Sequence, residues 1–128
     1  MTSQPVQPMA AWFEIPVTDL ARAQAFYDDV CGWTSQVVTN MGPNPIVVLD
    51  GGDVAGGGHL YEGKPAAAGT GATTHVTING SLEAAAERAI KAGGQIVGPI
   101  VPIPHGRFQY MIDPDGNSIG LFELAKAA

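Results

Sequence analysis

The chain has 128 residues, a size suited to one folded body. With 45% hydrophobic and 14% charged residues beside 17 Gly and 10 Pro, it is a globular sequence rich in strands and turns, which excludes a disordered or coiled-coil chain. Twelve acidic against 6 scattered basic residues give a net charge of −6, so neither nucleic acid nor an anionic membrane surface is the expected partner.

In chain order, residues 1–9 read as a flexible arm. Phe13, Ile15 and Val17 then alternate with Trp12, Glu14 and Pro16, the period-2 pattern of a strand with two unlike faces. Thr18 or Asp19 caps a helix whose apolar positions are Leu20, Ala23, Phe26, Tyr27 and Val30, and Gly32 stops it. Three short strands follow over residues 34–39, 46–50 and 54–61. The first βαβββ module thus occupies residues 10–61, and the Gly, Ala and Pro of residues 62–72 read as a linker. The same order returns in residues 73–124: a strand around Val76 and Ile78, a helix capped by Ser81 and closed at Gly93 and Gly94, then strands over 95–101, 107–112 and 118–123. Val17 and Ile78 each precede a helix-stop glycine by 15 residues, so the halves superpose at an offset of 61, pairing Glu14 with His75 and Trp12 with Thr73. Two units so related bury their open faces together. The fold class is α+β, two βαβββ modules forming a curled mixed β-sheet cup with helices outside.

Strand parity sorts the side chains. Ile15, Val17, Val76 and Ile78 face the helices, so Glu14, His75 and Thr77 face the cup. In the last strand Ile119 and Leu121 take the helix side and Glu123 shares their parity, leaving Gly120 and Phe122 on the cup face. His59, in the glycine-rich strand, pairs with Gly120 or Phe122 across the repeat. Glu14, beside Trp12 in a half-apolar cup, would have its pKa raised by desolvation, and His75 would hold it ionised and pass protons. That pair suits acid and base roles next to a carbonyl. Trp12, Trp33, Tyr110 and Phe122 offer stacking surfaces for a small organic ligand. Arg107 would clamp an anionic group at the cup's mouth. Gly56, Gly57 and Gly58 match no phosphate-binding loop, since no Lys-Ser/Thr and no helix follow.

The paired modules, with V-T-D-L-A-R-A-Q-A-F-Y-D-D-V-C-G-W after the first strand and D-P-D-G-N-S-I-G-L-F-E at the end, resemble the vicinal oxygen chelate superfamily over residues 10–124. That group contains glyoxalase I, extradiol dioxygenases and bleomycin resistance proteins. The resemblance implies a cup that binds a small molecule, a homodimer, and in many members a divalent metal held by His and Glu from the first and last strands of the modules. Here those positions fall on Trp12, Thr73, Gly120 and a residue near Gly57, none of them a ligand. The expectation is therefore a small-molecule-binding protein without the usual metal or another cofactor, and if an enzyme, a glyoxalase-like lyase or isomerase using Glu14 and His75. One alternative is a ligand-sequestering protein of the bleomycin-resistance kind, for which the net acidity suits a cationic ligand. Another is a metal-dependent lyase or dioxygenase with a site shifted to Glu14, His59 and His75, a two-histidine, one-carboxylate set. A single cysteine, Cys31, read as structural, precludes an internal disulfide. No apolar run approaches the roughly 18 residues of a membrane span, and the first residues lack signal-peptide character, so a cytoplasmic setting is expected.

Overall fold

A computed structural model describes residues 11–40, 42–51 and 54–126. The arm proposed for residues 1–9 lies outside these. Strand β1 (Phe13–Val17), helix α1 (Leu20–Cys31) and strands β2 (Gln36–Val38), β3 (Ile46–Gly51) and β4 (Val54–Glu62) form the first module. Strand β5 (Thr74–Thr77), helix α2 (Leu82–Lys91) and strands β6 (Gln95–Ile103), β7 (Gly106–Ile112) and β8 (Ser118–Leu124) form the second. Each module contributes one four-stranded mixed sheet, in the orders β1-β4-β3-β2 and β5-β8-β7-β6.

The helices begin and end where side-chain chemistry satisfies their orphan backbone groups. The Asp19 carboxylate accepts from the Arg22 amide at 3.1 Å, and Gly32, at φ +73°, closes α1 in the left-handed region that favours glycine. Ser81 caps α2 by accepting from the Ala84 amide at 3.2 Å. The parallel pairs β1·β4 and β5·β8 set Glu14 beside His59 and His75 beside Gly120, so the 61-residue offset holds at the level of strand register. The strand expected over residues 95–101 continues to Ile103, with the register shifting between Val97 and Val101 where Gly98 adopts φ +95°.

One core lies between sheets and helices. Ile15, Val17, Leu60, Val76, Leu121 and Met111 from the strands meet Leu20, Phe26, Tyr27, Val30, Leu82 and Ala85 from the helices. Joining the modules is the work of the D-P-D-G-N turn. Asp113, 3% exposed, accepts from Tyr27 Oη at 2.6 Å and from the amides of Asp115 and Asn117, both at 2.9 Å; Asn117 Nδ2 reaches it at 3.0 Å and donates to Pro16 O at 2.8 Å. Asp115 accepts from the Thr18 amide and hydroxyl and from Arg22. At the other end of β5, Asn79 donates to the carbonyls of Cys31 and Gly32, and Trp33 Nε1 donates to Thr77 O. These bonds tie both ends of α1 to the second module and so position the space between β1 and β5.

Candidate functional site

A cleft of about 820 Å³ opens there. Its walls come from Trp12 and Phe13 before and on β1, Trp33 to Gln36 after α1, Val48 and Leu49 on β3, Gly57 on β4, and His75 to Thr77 with Asn79. Trp33 is fixed by its bond to Thr77 O and by stacking on Tyr27, ring centroids 6.2 Å apart and planes 13° from parallel. Trp12 is 44% exposed. Among the described lining residues none is Asp, Glu, Lys or Arg, and His75 is the titratable group. Such a wall offers aromatic faces, hydroxyls and one imidazole, a composition typical of pockets for small, mostly apolar molecules.

His75 stands on the cup face, as its parity requires. Its ring meets the edges or faces of Phe108, Tyr110 and Phe122 at centroid distances of 5.0, 5.9 and 6.2 Å. It also lies directly over Gly120, where a Cβ would come 2.3 Å from Nδ1 and 2.5 Å from Cε1. The glycine at the family's ligand position is thus the space that the His75 ring uses.

Glu14 and His75 do not form the expected pair. Glu14 instead meets His59, its register neighbour on β4, with Nε2 3.1 Å from Oε1. His59 Nδ1 accepts from Trp12 Nε1 at 2.8 Å. An indole N–H can only donate, so Nδ1 carries the lone pair and Nε2 carries the proton given to Glu14. The Glu14 side chain is 65% exposed and lines a separate depression of about 170 Å³, so the apolar enclosure expected around it is not there.

Other expected site residues divide. Thr77, Tyr110 and Phe122 lie on the cup face with His75, while the Thr73 hydroxyl is hydrogen-bonded to that of Ser118. Arg107 is a correction. It sits on the helix face, where its guanidinium holds Glu83 at 2.6 and 2.9 Å and Glu123 at 2.9 Å, because it shares the parity of the buried Met111. These bonds hold both carboxyls below the usual range and the guanidinium firmly protonated. Glu123 faces away from the cup as expected and also accepts from the Leu82 amide at the start of α2. Cys31 is buried, which pushes its thiol up to about 12. Ser35, Gln36 and Asn79 are cleft residues that sequence reasoning missed. No local pattern marks them, since packing of the α1 end against β5 is what brings them to the cleft.

The residues present do not fit the metal that the superfamily resemblance implies. Trp12 and Thr73 are engaged in hydrogen bonds, and Gly120 is covered by His75. The shifted set fares no better: both nitrogens of His59 are committed, His75 stands on the other sheet, and among the described residues no three of His, Cys, Asp and Glu gather into a group able to hold a metal ion.

Comparison with known proteins agrees with this architecture. Residues 10–51 match the bleomycin resistance protein-like N-terminal family. The chain is 26% identical over 116 residues to CFP32, a candidate glyoxylase of Mycobacterium tuberculosis and Mycobacterium bovis; this is 88% of the chain but 44% of CFP32, so the chain spans less than half the length of these relatives. A glyoxalase/bleomycin resistance protein from Albidiferax ferrireducens superposes with a TM-score of 0.68 at 23% identity, covering 92% of this chain and 100% of that one. The fosfomycin resistance protein FosX from Mesorhizobium loti superposes at 0.64 with 19% identity, covering 94% and 95%. Among the described residues no helix is long and apolar enough to cross a membrane. The repeated module, its strand register and these likenesses together show a glyoxalase-like α+β fold of two βαβββ modules.

Proposed function

We propose that this protein binds a small, largely apolar and uncharged organic molecule in the cleft between β1 and β5, without a metal ion. The observation that carries the reading is the cleft itself: about 820 Å³ between the aromatic faces of Trp12 and Trp33, with a described wall uncharged apart from His75. The ligand stacks on the indoles and takes hydrogen bonds from His75, Thr77 and Asn79. A cationic ligand, which net charge alone favoured, finds no carboxylate among the described wall residues.

Holding without reaction, as a sequestering protein does, is the first form of this reading. Lyase or isomerase chemistry is the second, and what favours it is the hydrogen-bonded chain Trp12, His59, Glu14. The reading also takes the protein to be a cytoplasmic homodimer. Val97, Ile103, Tyr110 and Leu124, each at least 39% exposed, share the cup face of the second sheet, and a second copy covering that face would bury them.

Phenylacetone, a flat neutral ketone, is a suitable probe. Its titration followed by NMR should shift the Trp12 and Trp33 indole resonances together, and His75→Ala should weaken binding about 3- to 10-fold, the worth of one ordinary hydrogen bond. Shifts confined to residues outside the cleft would sink the assignment.

A further inference from the structure

The segment that leaves α1 and forms one wall of the cleft is held closely, except at one atom. The Gly32 and Trp33 amides donate to Asp28 O at 3.0 and 3.1 Å, and the Ser35 amide donates to the Asp28 carboxylate at 3.2 Å. Gln24 Nε2 donates to Ser35 O at 3.3 Å, and Trp33 Nε1 to Thr77 O at 2.9 Å. Ser35 lines the cleft, as do its neighbours Thr34 and Gln36. Yet Ser35 Oγ is buried and has no hydrogen-bond partner among the described residues, where it is the one buried side-chain nitrogen or oxygen in that state. A buried hydroxyl without a partner weakens a fold. The fold does not require this one, because the bonds that fix residue 35 run through its backbone N–H and C=O and would form equally with alanine. An unpaired polar atom on the wall of a ligand-sized cleft therefore calls for a functional account.

We propose that Ser35 is a specificity-determining residue of the cleft, which pairs with a hydroxyl on the bound molecule, and that the ligand class is a neutral aryl alcohol. This rests on the reading of the cleft as a ligand site. The aryl part lies against Trp12 and Trp33. A hydroxyl is the matching polar group because Ser35, Thr34 and Gln36 offer donors and acceptors together and no charge, and a hydroxyl alone among small neutral oxygen groups pairs with both. Rotation about Cα–Cβ moves Oγ between staggered positions while the backbone stays in place. Ser35 can thus turn from the wall to the ligand without breaking the bonds that hold its segment. A ligand of the same shape without the hydroxyl leaves Oγ unpaired, and sites built to pair a hydroxyl reject analogues that lack it for this reason.

The test compares 2-phenylethanol with propylbenzene, in which a methyl group replaces the hydroxyl, by NMR titration of wild type, Ser35→Ala and Ser35→Thr. In wild type both probes should shift the Trp12 and Trp33 indole resonances. Ser35→Ala should weaken 2-phenylethanol about 5- to 10-fold, the worth of one hydrogen bond, and change propylbenzene less than about 2-fold. Ser35→Thr, which keeps a hydroxyl, should bind 2-phenylethanol within about 3-fold of wild type. Without ligand, the urea midpoint of Ser35→Ala should equal or exceed that of wild type, since the variant loses an unpaired group. Equal weakening of both probes, unchanged binding of 2-phenylethanol, or a lowered midpoint would overturn the role of Ser35 while leaving the cleft assignment intact. Failure of both probes to move the two indole resonances in wild type would overturn that assignment, and the role of Ser35 with it.

Discussion

Gly120→Ala tests whether the family's vacated ligand position is reserved for the His75 ring. Gly120 does not use a left-handed backbone, so alanine is conformationally allowed there and would by itself stabilise the strand by roughly 0.5–1 kcal/mol through the unfolded chain. Against that, the new Cβ would stand 2.3 Å from His75 Nδ1 and 2.7 Å from Cγ, so the ring must swing away. It would then leave Phe108, Tyr110 and Phe122, contacts worth about 0.5–1.5 kcal/mol each when fully formed, of which a displaced ring keeps some. The net expectation is destabilisation of about 1–2 kcal/mol. In a His75→Ala background the clash is gone and the sign reverses to a gain of about 0.5 kcal/mol, giving a coupling of about 2 kcal/mol in a double-mutant cycle. Urea unfolding of the four proteins, at unchanged m, measures this. Additivity within about 0.3 kcal/mol would refute the claim that the ring and the glycine share one space.

Arg107→Ala should flatten the acid limb of the stability curve. Glu83 and Glu123 are held below the usual carboxylate range by Arg107, so their contribution is full above that range and is lost as pH falls through the depressed folded values; unfolding from about pH 6 to about pH 3 should show a shallower slope in the variant. Tyr27→Phe removes a buried hydroxyl from the Asp113 carboxylate and should cost about 1.5–3 kcal/mol in the same urea assay. Burial and the neighbouring Asp113 also hold the Tyr27 phenol well above its ordinary value, so alkaline ultraviolet titration should leave one tyrosine unionised until the protein unfolds. Cys31 should resist a thiol reagent at pH 8 in the native protein and react stoichiometrically in denaturant.

Parity and repeat carried most of the fold. They set Glu123 on the helix side, His75 and Phe122 on the cup side, and the 61-residue offset that the Glu14·His59 and His75·Gly120 registers display. Arg107 is legible by the same rule, since it opens the strand expected over residues 107–112 and stands four residues before the buried Met111, a parity that turns it to the helix side and away from the cup's mouth. The pairing of Glu14 with His59 was not legible. It depends on the parallel register of β1 against β4, strands separated by more than 35 residues, and β4 follows a register shift at Asp50 and Gly51 whose position no local pattern gives. Trp12, Trp33, His75 and Thr77 of the cleft were legible, but Ser35, Gln36 and Asn79 were not: they join the wall because Tyr27, Asp113, Asn117 and Asn79 lock two modules together at both ends of α1, and each of those four reads locally as an ordinary helix, turn or strand-end residue.

The most direct test of a metal-free ligand site is titration of phenylacetone into untagged protein before and after exhaustive chelation, with the Trp12 and Trp33 indole resonances as reporters. Equal affinity and equal shifts in both samples are predicted. Binding that disappears on chelation and returns with added divalent iron, manganese, nickel or zinc would contradict the account.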